Sequence, residues 1–159
     1  MTDALGTSIL FDVFALNQAV GRLLAEAMRE GPLTPAEYAI YSAVFELEAA
    51  SPTELASRLG MRLTTFVDHL RRLEGRGHAR RVPDQSDRRS YRVVLTADGL
   101  AAHRLANRAF EAAHQAFVAH LPDGESSAKA GVGVVRVAAE AAVESLTRET
   151  LAAGSRCQP

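Results

Sequence analysis

Apolar residues recur at alternating steps of four and three through Ile9, Val13, Leu16, Val20, Leu23 and Ala27, which is the spacing of one face of a helix over roughly residues 5–29. Leu10, Phe14 and Leu24 widen the stripe, so this helix is expected to bury a broad face against other helices. After Gly31-Pro32, the run Thr34-Pro35-Ala36-Glu37 has the composition of a capping box with proline at the first helical position, and a second helix is predicted to about Ala49. Ser51-Pro52-Thr53-Glu54 repeats that chemistry and opens a short helix ending at Gly60. From about Leu63 a further helix carries Phe66, Leu70 and Leu73 on one side until Gly75 and Gly77 end it. Residues 79–83 and 91–95 read as two short strands of a hairpin whose tip, residues 84–90, is polar and charged. Thr96 then caps a long helix to about His120, and Leu121 to Ser127, with Pro122 and Gly124, breaks it. A last helix places Val132, Val135, Ala139, Ala142 and Leu146 on another three-four seam, weakened in its first turn by Gly131 and Gly133, and residues 152–159 are expected to fray.

With 159 residues, 47% hydrophobic and 23% charged, the chain suits one compact domain with helical extensions and not a disordered segment. Its formal charge of −1 hides a strong asymmetry. Between Arg58 and Arg92 lie ten arginines and four acids, an excess of six positive charges, while the rest of the chain is acidic. A basic centre of this kind points to a polyanion as partner, with nucleic acid first among candidates. A short helix, a glycine-containing turn and a second helix at the edge of the basic region form the pattern of a helix-turn-helix.

Other chemistries find little support. Cys157 is alone, which excludes an internal disulfide framework and a cysteine-rich zinc module, and its tail position suggests an inert thiol. His103 and His114 are eleven residues apart on one predicted helix, about 16 Å and too far to share a metal. No phosphate loop, nucleophile elbow or catalytic carboxylate pair is recognisable, so the expectation is a protein that is not an enzyme and needs no metal or cofactor. The first apolar stretch is interrupted by Asp12, Asn17, Gln18 and Arg22, which argues against a secretory signal or membrane span and for a cytoplasmic location.

The stretch DQSDRRSYRVVLTADG, Asp84 to Gly99, resembles the wing of MarR-type bacterial transcriptional regulators, with its acidic turn, Asp-Arg-Arg, strand and Leu-Thr-x-x-Gly. LRRLEGRG, Leu70 to Gly77, is similar to the end of that family's recognition helix, and the order of helices follows the family over almost the whole chain. The resemblance implies a mainly α fold, a winged helix-turn-helix with a small two-stranded wing and long N- and C-terminal dimerisation helices. The whole chain, 1–159, then forms one MarR-like domain, with a DNA-binding lobe at 34–99 and dimerisation helices at 1–31 and 100–153. It further implies a dimeric, sequence-specific regulator of double-stranded DNA, a repressor relieved by a small-molecule effector, on a pseudo-palindromic operator. The alternative is a winged-helix module that binds protein and no longer reads DNA.

Site residues follow from both lines of reasoning. The second helix of such a motif enters the major groove, so Arg62, Thr64, Thr65, Asp68, Arg71 and Arg72 are the candidate recognition residues. Arg62 can meet phosphate or guanine, the threonine methyls can meet thymine, and Asp68 can either accept from cytosine or remain a solvated helix residue. In the wing, Arg88 is placed in the minor groove, and the resemblance makes Asp87 and Arg89 a bracing ion pair. Dimerisation is assigned to Ile9, Val13, Leu16, Val20, Val135, Ala139, Ala142 and Leu146. Where the family has a serine-like cap this chain has Arg62, and Asp68 stands where the family has a polar or basic residue, so no base preference carries over. His78 is expected either to begin a loosely packed strand or to pair with a local acceptor, a partly exposed structural histidine being the plainer reading. Phe11, Phe14, Tyr38, Tyr41 and Phe45 are expected to pack in the core, the family's effector cavity being the other reading.

Overall fold

The computed structural model describes residues 8–84 and 90–154, with side chains placed through residue 149. Six helices and one two-stranded sheet are seen among them: α1 (Ile9–Ala27), α2 (Pro35–Glu46), α3 (Pro52–Arg58), α4 (Leu63–Gly75), β1 (Ala79–Pro83), β2 (Tyr91–Leu95), α5 (Ala97–Val118) and α6 (Gly124–Gly154). Two compact units divide the chain, residues 1–114 and 115–159.

Both predicted capping boxes form. The Thr34 hydroxyl accepts from the Glu37 amide and the Glu37 carboxylate accepts from the Thr34 amide, so two amides that the first turn of α2 leaves without partners are satisfied together. Ser51 and Glu54 do the same for α3. These contacts, with Thr34 and burial, settle the Glu37 carboxyl below its ordinary range: burial pushes it up, and the Thr34 hydrogen bonds and the Arg76 charge together outweigh that.

The core of the first unit lies where α2, α3, α4 and the hairpin meet. Tyr41, Leu55, Phe66, Leu70 and Val93 are fully enclosed there, with Ile40 and Leu73 beside them. Apolar burial at about 25 cal/mol per Å² makes this cluster the main source of the lobe's stability. The hairpin register pairs Ala79 with Leu95 and Pro83 with Tyr91. Val93, at its centre, also bonds across to Ala50 through its amide, N to O 2.9 Å, which ties the wing's stem to the turn between α2 and α3.

Several boundaries differ from the sequence reading. Helix α2 stops at Glu46 instead of about Ala49, and Glu48 and Ala49 take positive φ of 40° and 76°. Non-glycine residues pay a steric cost there, and the long-range bridge of Ala50 to Val93 holds them. Helix α6 begins at Gly124, inside the segment expected to break the chain, and runs through Gly131 and Gly133 to Gly154; the fraying expected from residue 152 is not seen up to 154, and residues 155–159, with Cys157, lie outside the described residues. The broad burial expected for α1 does not occur within the chain: none of its residues is buried, and Ile9, Leu10, Phe11, Phe14 and Leu16 are largely exposed.

Candidate nucleic-acid interface

Helix α4 is strongly two-faced. Phe66, Leu70 and Leu73 anchor it in the core, and Arg62, Thr64, Thr65, Asp68, Arg71 and Arg72 are all exposed. At 100° per residue, Thr64, Asp68 and Arg71 lie on the line opposite the core, with Thr65 and Arg72 along one flank. Five of the six residues predicted for the groove therefore share an open side of one rigid helix; Arg62, just before its first turn, is exposed but does not lie on that side. Arg62 occupies the N-cap position and makes no capping hydrogen bond, as its lack of a short acceptor side chain dictates. At the other end Gly77, with φ 72°, lets the His78 amide return to the Leu73 carbonyl, N to O 2.9 Å, and turns the chain directly into β1.

Ion pairs fix this surface to its neighbours. Arg81 on β1 holds Glu74 of α4 through two hydrogen bonds, 2.8 and 3.0 Å, and lies 4.5 Å over the Tyr91 ring. Arg76, just after α4, pairs with Glu37 at 2.7 Å. On β2, Arg92 bonds the buried Asp84 carboxylate at 2.6 Å and the Ala49 carbonyl at 2.9 Å, clamping the root of the wing to the α2–α3 turn. Arg58 pairs with Glu46, and Arg71 with Asp68. None of these five partnerships was anticipated in the sequence; four join residues brought together only by the fold, while Asp68 and Arg71 are i, i+3 neighbours whose spacing already permitted the contact. Arg62, Arg72 and Arg80 are exposed and without an acid partner among the described residues. Asp87, Arg88 and Arg89, the predicted wing residues, lie outside the described residues.

His78 pairs not with a local acceptor but with Tyr41 on α2, whose Oη stands 2.7 Å from His78 Nδ1. Of the five aromatic residues, Tyr38 and Tyr41 are buried as core packing requires, whereas Phe11, Phe14 and Phe45 are more than half exposed, so the core reading fails for those three. Tyr38 also lines a cavity of about 300 Å³, bordered by Leu24 of α1, Ser42 and Glu46 of α2, Leu59 and Phe110 of α5. Beside it His103, dismissed as a metal ligand, is buried: its ring stacks on Tyr38 and its Nε2 lies 3.1 Å from the Ser42 hydroxyl.

Burial lowers the His103 pKa, Glu46 opposing and Arg104 adding to it. The folded chain therefore takes up that proton less readily than the unfolded one. The stability this confers is complete above about pH 6.5 and is lost as pH falls from there through the lower folded value. Urea midpoints should fall as pH is lowered from 7.5 to 5.5, and His103→Gln should flatten that decline; an equal slope in the variant would place its origin elsewhere.

An exposed recognition helix, anchored from behind and followed by an antiparallel hairpin clamped to the lobe, defines the class as winged helix-turn-helix. The family model of the MarR family matches residues 33–91. The HTH-type transcriptional regulator TtmR of Methylorubrum extorquens is 33% identical over 96 residues, 60% of this chain and 49% of that protein, so the chain spans about half the length of this curated relative. Among solved structures, the PcaV transcriptional regulator from Streptomyces coelicolor in complex with its natural ligand is 25% identical, with a TM-score of 0.72 over 89% of this chain and 99% of that one. A mutant MarR from E. coli complexed with operator DNA is also 25% identical, with a TM-score of 0.70 over 77% of this chain and 89% of that one. In its fold and in the matched segment the chain is similar to MarR-type winged helix-turn-helix proteins. Its named relatives are transcriptional regulators and not enzymes. Among the described residues no helix is long and apolar enough to cross a membrane.

Proposed function

We propose that this chain is a sequence-specific, double-stranded DNA-binding transcriptional regulator that acts in the cytoplasm as a homodimeric repressor relieved by a small-molecule effector, without catalytic activity. The observation that carries the reading is α4, on which Thr64, Thr65, Asp68, Arg71 and Arg72 stand exposed while Phe66, Leu70 and Leu73 fix the helix from behind, with Arg62 exposed at its N-cap. Arg62, Thr64, Thr65, Asp68, Arg71 and Arg72 enter the major groove, Arg88 enters the minor groove, and Asp87 with Arg89 braces the wing. The solved relative complexed with operator DNA supports the first part, and the one in complex with its natural ligand supports an effector.

Residues 34–99 are the DNA-binding lobe of a single domain, and 1–31 with 100–153 form the dimer. Exposure of Ile9, Val13 and Leu16 on α1 and of Leu146 on α6 supports this, because uncovered apolar faces of that length mark an interface. Val20, Val135, Ala139 and Ala142 continue the two seams. Two such lobes about a twofold axis meet half-sites about 34 Å apart, so an effector that alters their separation changes affinity without touching DNA. The open pocket beside Tyr38, lined from α1, α2, the end of α3 and α5, is the site we assign to that effector.

A gel-shift titration of random-sequence duplex at several salt concentrations tests the reading. Binding should weaken linearly in log affinity against log salt, and Arg88→Ala should reduce the slope by about one. Absence of any salt-dependent complex would remove DNA as the partner and leave the protein-interaction module.

A further inference from the structure

An acidic residue at the centre of a DNA-facing ridge repels phosphate unless something offsets it. Asp68 is such a residue, and its Oδ1 accepts a hydrogen bond from Arg71 Nη1 at 2.9 Å. Side chains on a helix lean toward its N-terminus, so the Arg71 guanidinium is drawn back over the turn that carries Asp68. Thr64, Asp68 and Arg71 thus present their functional groups along about 10 Å of helix, the height of roughly three base pairs.

What the pair leaves open is chemically specific. Asp68 Oδ2 and the remaining guanidinium N–H groups of Arg71 have no partner among the described residues, and both side chains are about two-thirds exposed. Carboxylate and guanidinium therefore stand side by side, with Asp68 Oδ1 and Arg71 Nη1 2.9 Å apart. A G·C pair shows the complementary row in the major groove: the cytosine N4 donor, then the guanine O6 and N7 acceptors. Cytosine N4 and guanine O6 are themselves joined by a hydrogen bond of about 2.9–3.0 Å, so their spacing matches that of Asp68 and Arg71. Two neighbouring phosphates offer no donor to Asp68, and an A·T pair offers its donor and acceptor in a different order.

We infer that Asp68 and Arg71 act as one unit that reads a single G·C base pair in each half-site, Arg71 forking onto guanine O6 and N7 and Asp68 accepting from cytosine N4. The inference rests on the DNA-binding reading above and adds to it the base that is read and the residues that read it. Asp68 does two things in this arrangement: it holds the guanidinium in the plane of the fork before DNA arrives, and it rejects a phosphate in the place of the base. Thr64, one turn earlier, reads an adjacent pair independently.

Selection of binding sites from a random duplex library, run with the full chain and with Asp68→Ala, Arg71→Ala and the double variant, tests it. The unaltered protein should prefer guanine at one position of each half-site by roughly 5- to 150-fold, the span of one good bidentate contact. Either single variant should lose the preference at that same position and keep the others, and the double variant should lose no more. Arg71→Lys should fail as Arg71→Ala does, because an ammonium cannot span both acceptors as a fork. Arg72→Ala, on the flank, should weaken all sequences alike. If Asp68→Ala strengthens, and Arg71→Ala weakens, every sequence by one factor, the two residues are a surface ion pair and the inference is overturned while DNA binding stands. Failure of the unaltered protein to bind any duplex overturns both.

Discussion

Phe66→Ala should lower the stability of the winged lobe by about 3–5 kcal/mol, the cost of a large aromatic removed from a site that cannot collapse around the void. Phe66 has no exposed surface and lies in the first turns of the recognition helix, on the side that faces the core cluster of Tyr41, Leu55, Leu70 and Leu73. Stability for a domain of this kind totals only about 5–15 kcal/mol, so the loss removes a large share of it. Urea denaturation followed by circular dichroism reads the effect as a midpoint shift at unchanged slope. Below the transition the variant should still bind duplex, because the groove side of the helix is untouched. A shift of less than 1 kcal/mol would mean that the helix is not anchored there and would undermine its role as a rigid reading element.

Gly99→Ala should also destabilise the lobe, for a different reason. A Cβ at this position would stand 2.0 Å from the His78 carbonyl oxygen and 2.9 Å from its carbon. Both are backbone atoms, so no rotamer change can relieve the clash, and the same oxygen already accepts from the Thr96 amide at 3.0 Å. Thr96 completes the joint: its hydroxyl donates to the Gly77 carbonyl at 2.7 Å and accepts from the Gly99 amide at 3.1 Å. Helix α5 must therefore back away from the end of the recognition helix, at or above the roughly 1–3 kcal/mol typical of overpacked cores. Gly131, in α6, supplies the contrast, since nothing lies within 4 Å of its Cβ position and alanine there should stabilise by about 0.5–1 kcal/mol. The two alanine variants should shift the urea midpoint in opposite directions; shifts of the same sign and size would contradict the close approach at His78.

Local chemistry accounts for what was legible in the sequence. The strands 79–83 and 91–95, both capping boxes and the core face of α4 depend on residues within a few positions of one another, and all stand as read. The end of α2 was not legible, because nothing near Glu48 or Ala49 signals a turn; a partner over forty residues away, Val93, imposes it. Phe11 and Phe14 look like core residues by composition, yet no core reaches them inside one chain. On the candidate interface, the exposure of Thr64, Thr65, Asp68, Arg71 and Arg72 on α4 was legible from helical spacing, while the acids that engage the neighbouring arginines were not. Glu37 and Arg76 are far apart in sequence, as are Glu46 and Arg58, and only the packing of α2 against α3 and the end of α4 reveals which charges meet.

Five of the eight arginines described between Arg58 and Arg92 hold carboxylates of the same lobe. Such charges stiffen the joints between helices and hairpin, but they displace few ions from a duplex because their own field is already largely cancelled. Grip on arbitrary sequence is then weaker than the number of arginines suggests, though still salt-dependent through Arg62, Arg72 and Arg80. In a cell, where random sequence vastly outnumbers any operator, a weak grip keeps more molecules in free solution and shortens their stay at each wrong site. If the chain regulates as proposed, few copies then suffice to keep a small set of true sites occupied, and a modest loss of affinity on effector binding empties them.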